Sequence, residues 1–167
     1  MQQNIVPKPS RPYVPEYGIP DTEEGMLPWS HVSERMERAL NYWISTVSPE
    51  GEPHATPVWG MWLDNTLYFD GSPQTRRGRN MAANPKVAIH LESGDDVVIF
   101  RGKVEQINGR DRSFSTRLAA AYAAKYKHKG YAPAPDTWDS GGLYVVRPRV
   151  VFAWTNFPQD TTRWIFD

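Results

Sequence analysis

Between residues 42 and 107 the chain is cut by turn signals every few residues, and the runs between them are too short for helices and too β-rich for loops. The run 42–47 is aromatic and β-branched, and Ser48-Pro49-Glu50-Gly51 places Pro second and Gly fourth, as a type I turn prefers. The return run, 53–63, alternates His54, Thr56, Val58, Gly60 and Trp62 with Ala55, Pro57, Trp59, Met61 and Leu63, and Pro57 in its middle implies an edge or a bulge. Asp64-Asn65 closes a second tight turn into a strand at 66–70. Strands are expected at 86–91 and 97–107, joined by Ser93-Gly94-Asp95-Asp96, and closing strands at 143–146 and 150–154, with Pro148 forcing a break between them. Antiparallel hairpins at this density close most easily into a small barrel, which also hides edges that invite aggregation. The expected fold is mainly β, a barrel with a few helices.

Three helices complete that picture. Ser30 reads as the N-cap of a helix from His31 to about Asn41, with Val32, Met36, Leu40 and Trp43 as its apolar stripe. A short helix capped by Thr75 stops at Asn84-Pro85, and the longest spans 110–127, with Phe114, Leu118, Ala121, Tyr122 and Lys125 at helical spacing. Six of the fifteen prolines fall in residues 1–29, too many for helix or sheet, while Tyr13, Tyr17, Met26, Leu27 and Trp29 make this stretch too apolar for a free tail. The expected organisation is a Pro-rich arm, 1–29, that packs on the body or on a partner subunit, followed by one domain, 30–167, since 167 residues suffice for a single core.

Composition excludes several classes. Nineteen basic residues balance nineteen acidic ones, so no global field draws the protein to nucleic acid or an anionic membrane. The absence of Cys removes disulfides, zinc-thiolate sites and thiol nucleophiles together. No apolar run approaches a membrane span, and the start Met1-Gln2-Gln3-Asn4 lacks a signal-peptide pattern, so a cytoplasmic protein is expected.

The sharpest local asymmetry lies between Asp70 and Glu92. No acidic residue occurs there, while Arg76, Arg77, Arg79 and Lys86 supply positive charge, three of them within one helical turn. If a helix starts at Thr75, its free main-chain N–H groups, its dipole, the Thr75 hydroxyl and the first arginines converge, and a phosphate fits that description. Arg77 and Asn80 are three apart and Arg76 and Asn80 four apart, so at least one arginine can share a face with the amide. The bland alternative is a solvated basic helix surface.

Several segments in register resemble the pyridoxamine 5′-phosphate oxidase-like family. They are Tyr42-Trp43-Ile44-Ser45-Thr46-Val47, Gly51-Glu52-Pro53-His54, Pro57-Val58-Trp59, Leu67-Tyr68-Phe69, Thr75-Arg76-Arg77-Gly78-Arg79-Asn80, Asn84-Pro85-Lys86-Val87-Ala88 and the closing Thr162-Arg163-Trp164-Ile165-Phe166. The resemblance implies an antiparallel Greek-key split β-barrel, a homodimer binding FMN or the deazaflavin coenzyme F-420 at the subunit interface. It assigns the cofactor phosphate to Arg77, helped by Ser72, Thr75, Arg76 and Asn80. It also runs Pro57, Val58 and Trp59 beside the ring as main-chain contacts and a flat wall. Lysine is frequent at the position of Arg77, and arginine keeps the charge while adding bidentate geometry. Three crowded arginines suit the longer anionic tail of F-420, so the expectation leans to that coenzyme.

In such a protein hydride passes between the ring and a small organic substrate, and no dedicated catalytic side chain is required. His54 is the one weak candidate for a proton donor. The substrate is expected to be selected by loops, among them the arm and residues 128–142. The competing reading is a non-catalytic protein that stores or senses flavin, deazaflavin or haem. Lys125-Tyr126-Lys127-His128-Lys129 reads as cations at a helix C-terminus rather than a nucleic-acid groove. Glu92, Asp95 and Asp96 read as a solvated hairpin tip, and the four histidines show no metal-ligand spacing.

Overall fold

The computed structural model describes residues 6–107 and 111–166. Helix α1, Trp29–Arg38, precedes strands β1 (Tyr42–Val47), β2 (Pro53–Val58), β3 (Gly60–Leu63) and β4 (Thr66–Asp70). Then come α2 (Arg76–Ala83), β5 (Lys86–His90), β6 (Val97–Ile107), α3 (Arg112–Tyr126), β7 (Leu143–Trp154) and β8 (Thr162–Ile165). One antiparallel sheet runs in the order β2-β1-β5-β6-β7-β4-β3, with β8 added to β7. Its two end strands, β2 and β3, are consecutive in the chain and separated only by Trp59. The sheet must therefore curl until its ends meet, closed by the covalent chain and not by a ladder of hydrogen bonds, which is a split barrel.

The expected β fold and most of its hairpins are present, and four local departures have physical causes. Residues 53–63 form two strands, because the chain breaks at Trp59, while Pro57 does lie on an edge strand. Ser30 is not a cap. Pro28 takes that position in an extended conformation without a side-chain bond, and Trp29 is drawn into the helix start by edge contacts with Trp164 and Phe166 at 5.4 and 5.2 Å. The helix also ends at Arg38, not near Asn41, because Leu40 and Trp43 serve other elements: the Leu40 carbonyl accepts the Tyr126 hydroxyl and Trp43 stacks on His90.

Pro148 does not split the closing strand. The β6–β7 register shifts between Arg101 and Gly102, and Pro148 sits opposite Gly102 at that irregularity, where its missing N–H is tolerated. A Cβ on Gly102 would lie 2.5 Å from the Arg147 carbonyl oxygen, so the close approach needs glycine. The longest helix starts at Arg112, capped by Asp111, whose Oδ1 accepts from the Phe114 N–H at 3.1 Å; position 110, its expected start, lies outside the described residues.

Two cores result. Inside the barrel, Ile44, Leu67, Phe69, Ile89, Phe100 and Val146 are fully buried, and Val32 and Met36 of α1 cover one side. Outside it, Leu118, Tyr122 and Tyr126 of α3 pack on Met61, Trp138 and Leu143. The arm lies along β8: Ser10 exchanges main-chain bonds with Arg163 at 2.8 Å each. Arg11 donates to the carbonyls of Thr22, Glu24, Gln159 and Thr161. An edge that would otherwise expose unpaired N–H and C=O groups is thus covered. No helix among the described residues is long and apolar enough to cross a membrane.

Candidate functional site

After β4 ends at Asp70, Gly71-Ser72-Pro73 reverses the chain into α2. The Thr75 hydroxyl donates to the Ser72 carbonyl at 2.9 Å and accepts from the Gly78 N–H at 3.0 Å, so it is the N-cap read from the sequence. The Ser72 hydroxyl accepts from the Gln74 N–H at 3.1 Å. Both hydroxyls hold the turn, which leaves the first main-chain N–H groups of the helix as its open donors. Gly78 makes the turn possible, since a Cβ there would come within 2.6 Å of the Pro73 carbonyl oxygen.

The three arginines go to different places. Arg76 donates to Glu52 at 2.7 Å across the exposed β1–β2 turn. Arg79 donates to the Gln74 carbonyl. Arg77 turns inward, its guanidinium 5.9 Å above the Phe69 ring and packed against Gly71, where a Cβ would meet Nη2 at 2.6 Å. It has no carboxylate or carbonyl partner among the described residues, and its buried Nε is unpaired. Burial holds its pKa below the ordinary guanidinium value, with Tyr144 and Asp70 acting the other way.

Tyr144 stacks on Phe69 at 5.2 Å and is only 4% exposed, yet its hydroxyl also lacks a partner. Burial raises its pKa and Arg77 opposes that rise, so the two groups face each other electrostatically. An orphaned guanidinium nitrogen and an orphaned phenol, both packed on Phe69 and each sensing the other's charge, are costly unless something polar reaches them. A phosphate at the first turn of α2 supplies the acceptors both need. The residues therefore fit a phosphate-bearing group.

Arg77 and Asn80 do not share one face toward that space. Asn80 is 3% exposed and its Nδ2 donates to Thr46 Oγ1 at 3.0 Å, which ties α2 to β1. His54, paired with Thr46 across β1 and β2, is half-buried, and its Nδ1 has no partner. From His54 the edge strand β2 continues through exposed Pro57 to buried Val58, with its outer main-chain groups unpaired in the sheet. Trp59 follows at the end of that edge. The break after Val58 sends its ring to α3, where it stacks on Tyr126 at 5.1 Å and lies 6.0 Å from Tyr131. Tyr144 escaped the sequence reading because its alternation marks only a core position, and nothing local says that Arg77 is its neighbour.

The pyridoxamine 5′-phosphate oxidase family model matches residues 30–157. Among solved structures, an F420 reductase is 27% identical, with 78% of this chain and 98% of that chain covered at a TM-score of 0.57. A FAD-binding protein from Mesorhizobium loti is 17% identical, with 84% and 96% covered at 0.58. A heme storage protein from Vibrio cholerae is 17% identical, with 74% and 92% covered at 0.57. The last two likenesses are of fold. No curated protein matches the chain at a significant level.

Proposed function

The chain belongs to the pyridoxamine 5′-phosphate oxidase family, and from that premise we propose that it is an oxidoreductase working with deazaflavin F-420 or FMN on a small organic substrate. The observation that carries this reading is the unpaired, half-buried Arg77 at the first turn of α2, with the Tyr144 hydroxyl beside it. Arg77, Tyr144 and the open α2 amides hold the phosphate, while Ser72, Thr75 and Gly78 shape the turn that presents them. The ring follows β2 toward Pro57 and Val58, where an unpaired strand edge offers alternating N–H and C=O groups to the ring's polar edge. The bound ring supplies hydride transfer; the chain orients it and excludes water. The likeness to an F420 reductase at 27% identity supports the deazaflavin over FMN.

A homodimer completes the site by covering the open side of β2. Trp43, His90, Ile99 and Phe152 stand side by side across β1, β5, β6 and β7, half-buried on the outer face, and a second copy is the partner that row fits.

The test is a titration of the purified protein with F-420, FMN and riboflavin, followed by reduced cofactor with an added acceptor. Phosphate-bearing cofactors should bind about a hundredfold more tightly than riboflavin, and turnover should bleach or restore the ring's absorbance. Equal affinity for riboflavin and FMN would remove the phosphate site. Tight binding without turnover on any acceptor would leave a carrier and not an enzyme.

A further inference from the structure

Asp70 closes β4 on the α3 side of the sheet, away from the barrel interior that Phe69 fills. Its Oδ2 accepts two neutral donors, the Tyr131 hydroxyl and the Trp138 indole N–H, the latter at 3.1 Å. Among the described residues Oδ1 has no hydrogen-bond partner and no Lys, Arg or His is within ion-pair distance, the nearest cationic influence being Arg77 beyond Gly71. The group borders a pocket of about 460 Å³ between the 71–73 turn and the loop that carries Tyr131, Trp138 and Ser140. None of the described lining side chains is cationic. Gly142 stitches the two walls together, its carbonyl accepting from the Gly71 N–H at 3.0 Å.

A carboxylate pinned by two aromatic donors, its other oxygen without a hydrogen bond and bordering a pocket whose described lining carries no cation, can accept one more charged donor even with Arg77 beyond Gly71. We propose that this pocket is a second small-molecule site, for an organic cation of the amine or amidine class. Its N–H groups are held by Asp70 Oδ1, and its body lies against Tyr131 and the Gly71-Ser72-Pro73 turn. Only Gly71 separates this pocket from Arg77, so an anion on one side and a cation on the other favour each other's binding. Reading the cation as the substrate beside the cofactor rests on the anion site at Arg77; the cation site itself does not.

Benzamidine is the probe and benzoate its control, measured by calorimetry on the whole chain and by the ¹⁵N shift of the Trp138 indole. Benzamidine should saturate and move that resonance, and benzoate should do neither. Asp70→Asn keeps an acceptor for Tyr131 and Trp138 but removes the charge, and should weaken benzamidine roughly tenfold or more. Ser140→Arg, on the exposed rim, offers Asp70 an internal cation and should weaken benzamidine without threatening the fold. Benzoate binding as well as benzamidine, or benzamidine affinity unaltered by both substitutions, overturns the proposal. Benzamidine binding with no phosphate-dependent cofactor affinity would leave this site standing and remove the cofactor reading alone.

Discussion

Around Gly60, where α3 packs on the β2–β3 junction, the buried polar groups are paired. The Tyr126 hydroxyl accepts from the Gly60 N–H at 3.0 Å and faces the carbonyls of Leu40 at 2.8 Å and Gly60 at 2.9 Å. The Lys125 ammonium donates to the Tyr42 hydroxyl at 2.9 Å and the Gly60 carbonyl at 3.2 Å, above the Tyr42 and Tyr126 rings. The Tyr122 hydroxyl donates to the Tyr68 carbonyl at 3.2 Å. Around α2 the pattern reverses: Arg77 Nε, the Tyr144 hydroxyl and His54 Nδ1 are all buried and all unpaired among the described residues. A satisfied network contributes to folding stability, whereas an unsatisfied one costs stability until a ligand arrives. The first region holds the barrel shut; the second carries the proposed cofactor site.

The sharpest way to break this contrast is Arg77→Gln. Cofactor affinity should fall about a hundredfold while unfolding free energy in the absence of ligand changes by less than about 1 kcal/mol, because no hydrogen-bond or ion-pair partner is lost and only the contact with the Phe69 ring is weakened. A parallel fall of both, read by titration and urea unfolding, would make Arg77 a structural residue. Tyr126→Phe should behave in the opposite sense. It strands the Gly60 N–H and should cost about 2 kcal/mol of stability, with cofactor affinity unchanged.

Tyr144→Phe sharpens the comparison within the open region. Removing an orphaned hydroxyl should leave stability the same or slightly higher, by up to about 1 kcal/mol, yet weaken phosphate-bearing ligands about fivefold.

The smallest effect is one of pH. Burial pushes Lys125 down to about 8, with Glu37 partly opposing, whereas the unfolded chain titrates near the usual value of about 10.4. Between those values the unfolded state binds the extra proton, so this residue makes stability rise with pH from about 8 to about 10. Tyr126, raised by burial to about 12, works against it above about 10, where the unfolded phenol ionises first. Lys125→Met should flatten the rise, seen as a loss of slope in urea midpoints across that window.

How far the sequence could be read depended on the range of the interaction involved. The β1–β2 turn, the Asp64-Asn65 turn and the Thr75 cap are decided within four residues, and all three are where local chemistry puts them: Asp64 and Asn65 take φ values of 52° and 56°, as a two-residue hairpin demands. The basic helix was legible because charge and cap share one segment. Ser30 and Pro148 misled for the same reason in reverse. A cap preference yielded to the packing of Trp29, and a strand breaker was absorbed by a bulge that exists only because Gly102 lies opposite.

By itself, then, the sequence determined the alternation of strands, the places where the chain turns, and the basic, Thr75-capped start of α2. Only the tertiary structure decided which arginine is buried without a hydrogen-bond or ion-pair partner among the described residues, and that it and Tyr144 both pack on Phe69. It also decided that Asp70 meets Tyr131 and Trp138 around a pocket. Backbone preference is set by neighbours along the chain, whereas burial and pairing are set by residues that come together only when the sheet curls, and no local pattern encodes which ones will meet.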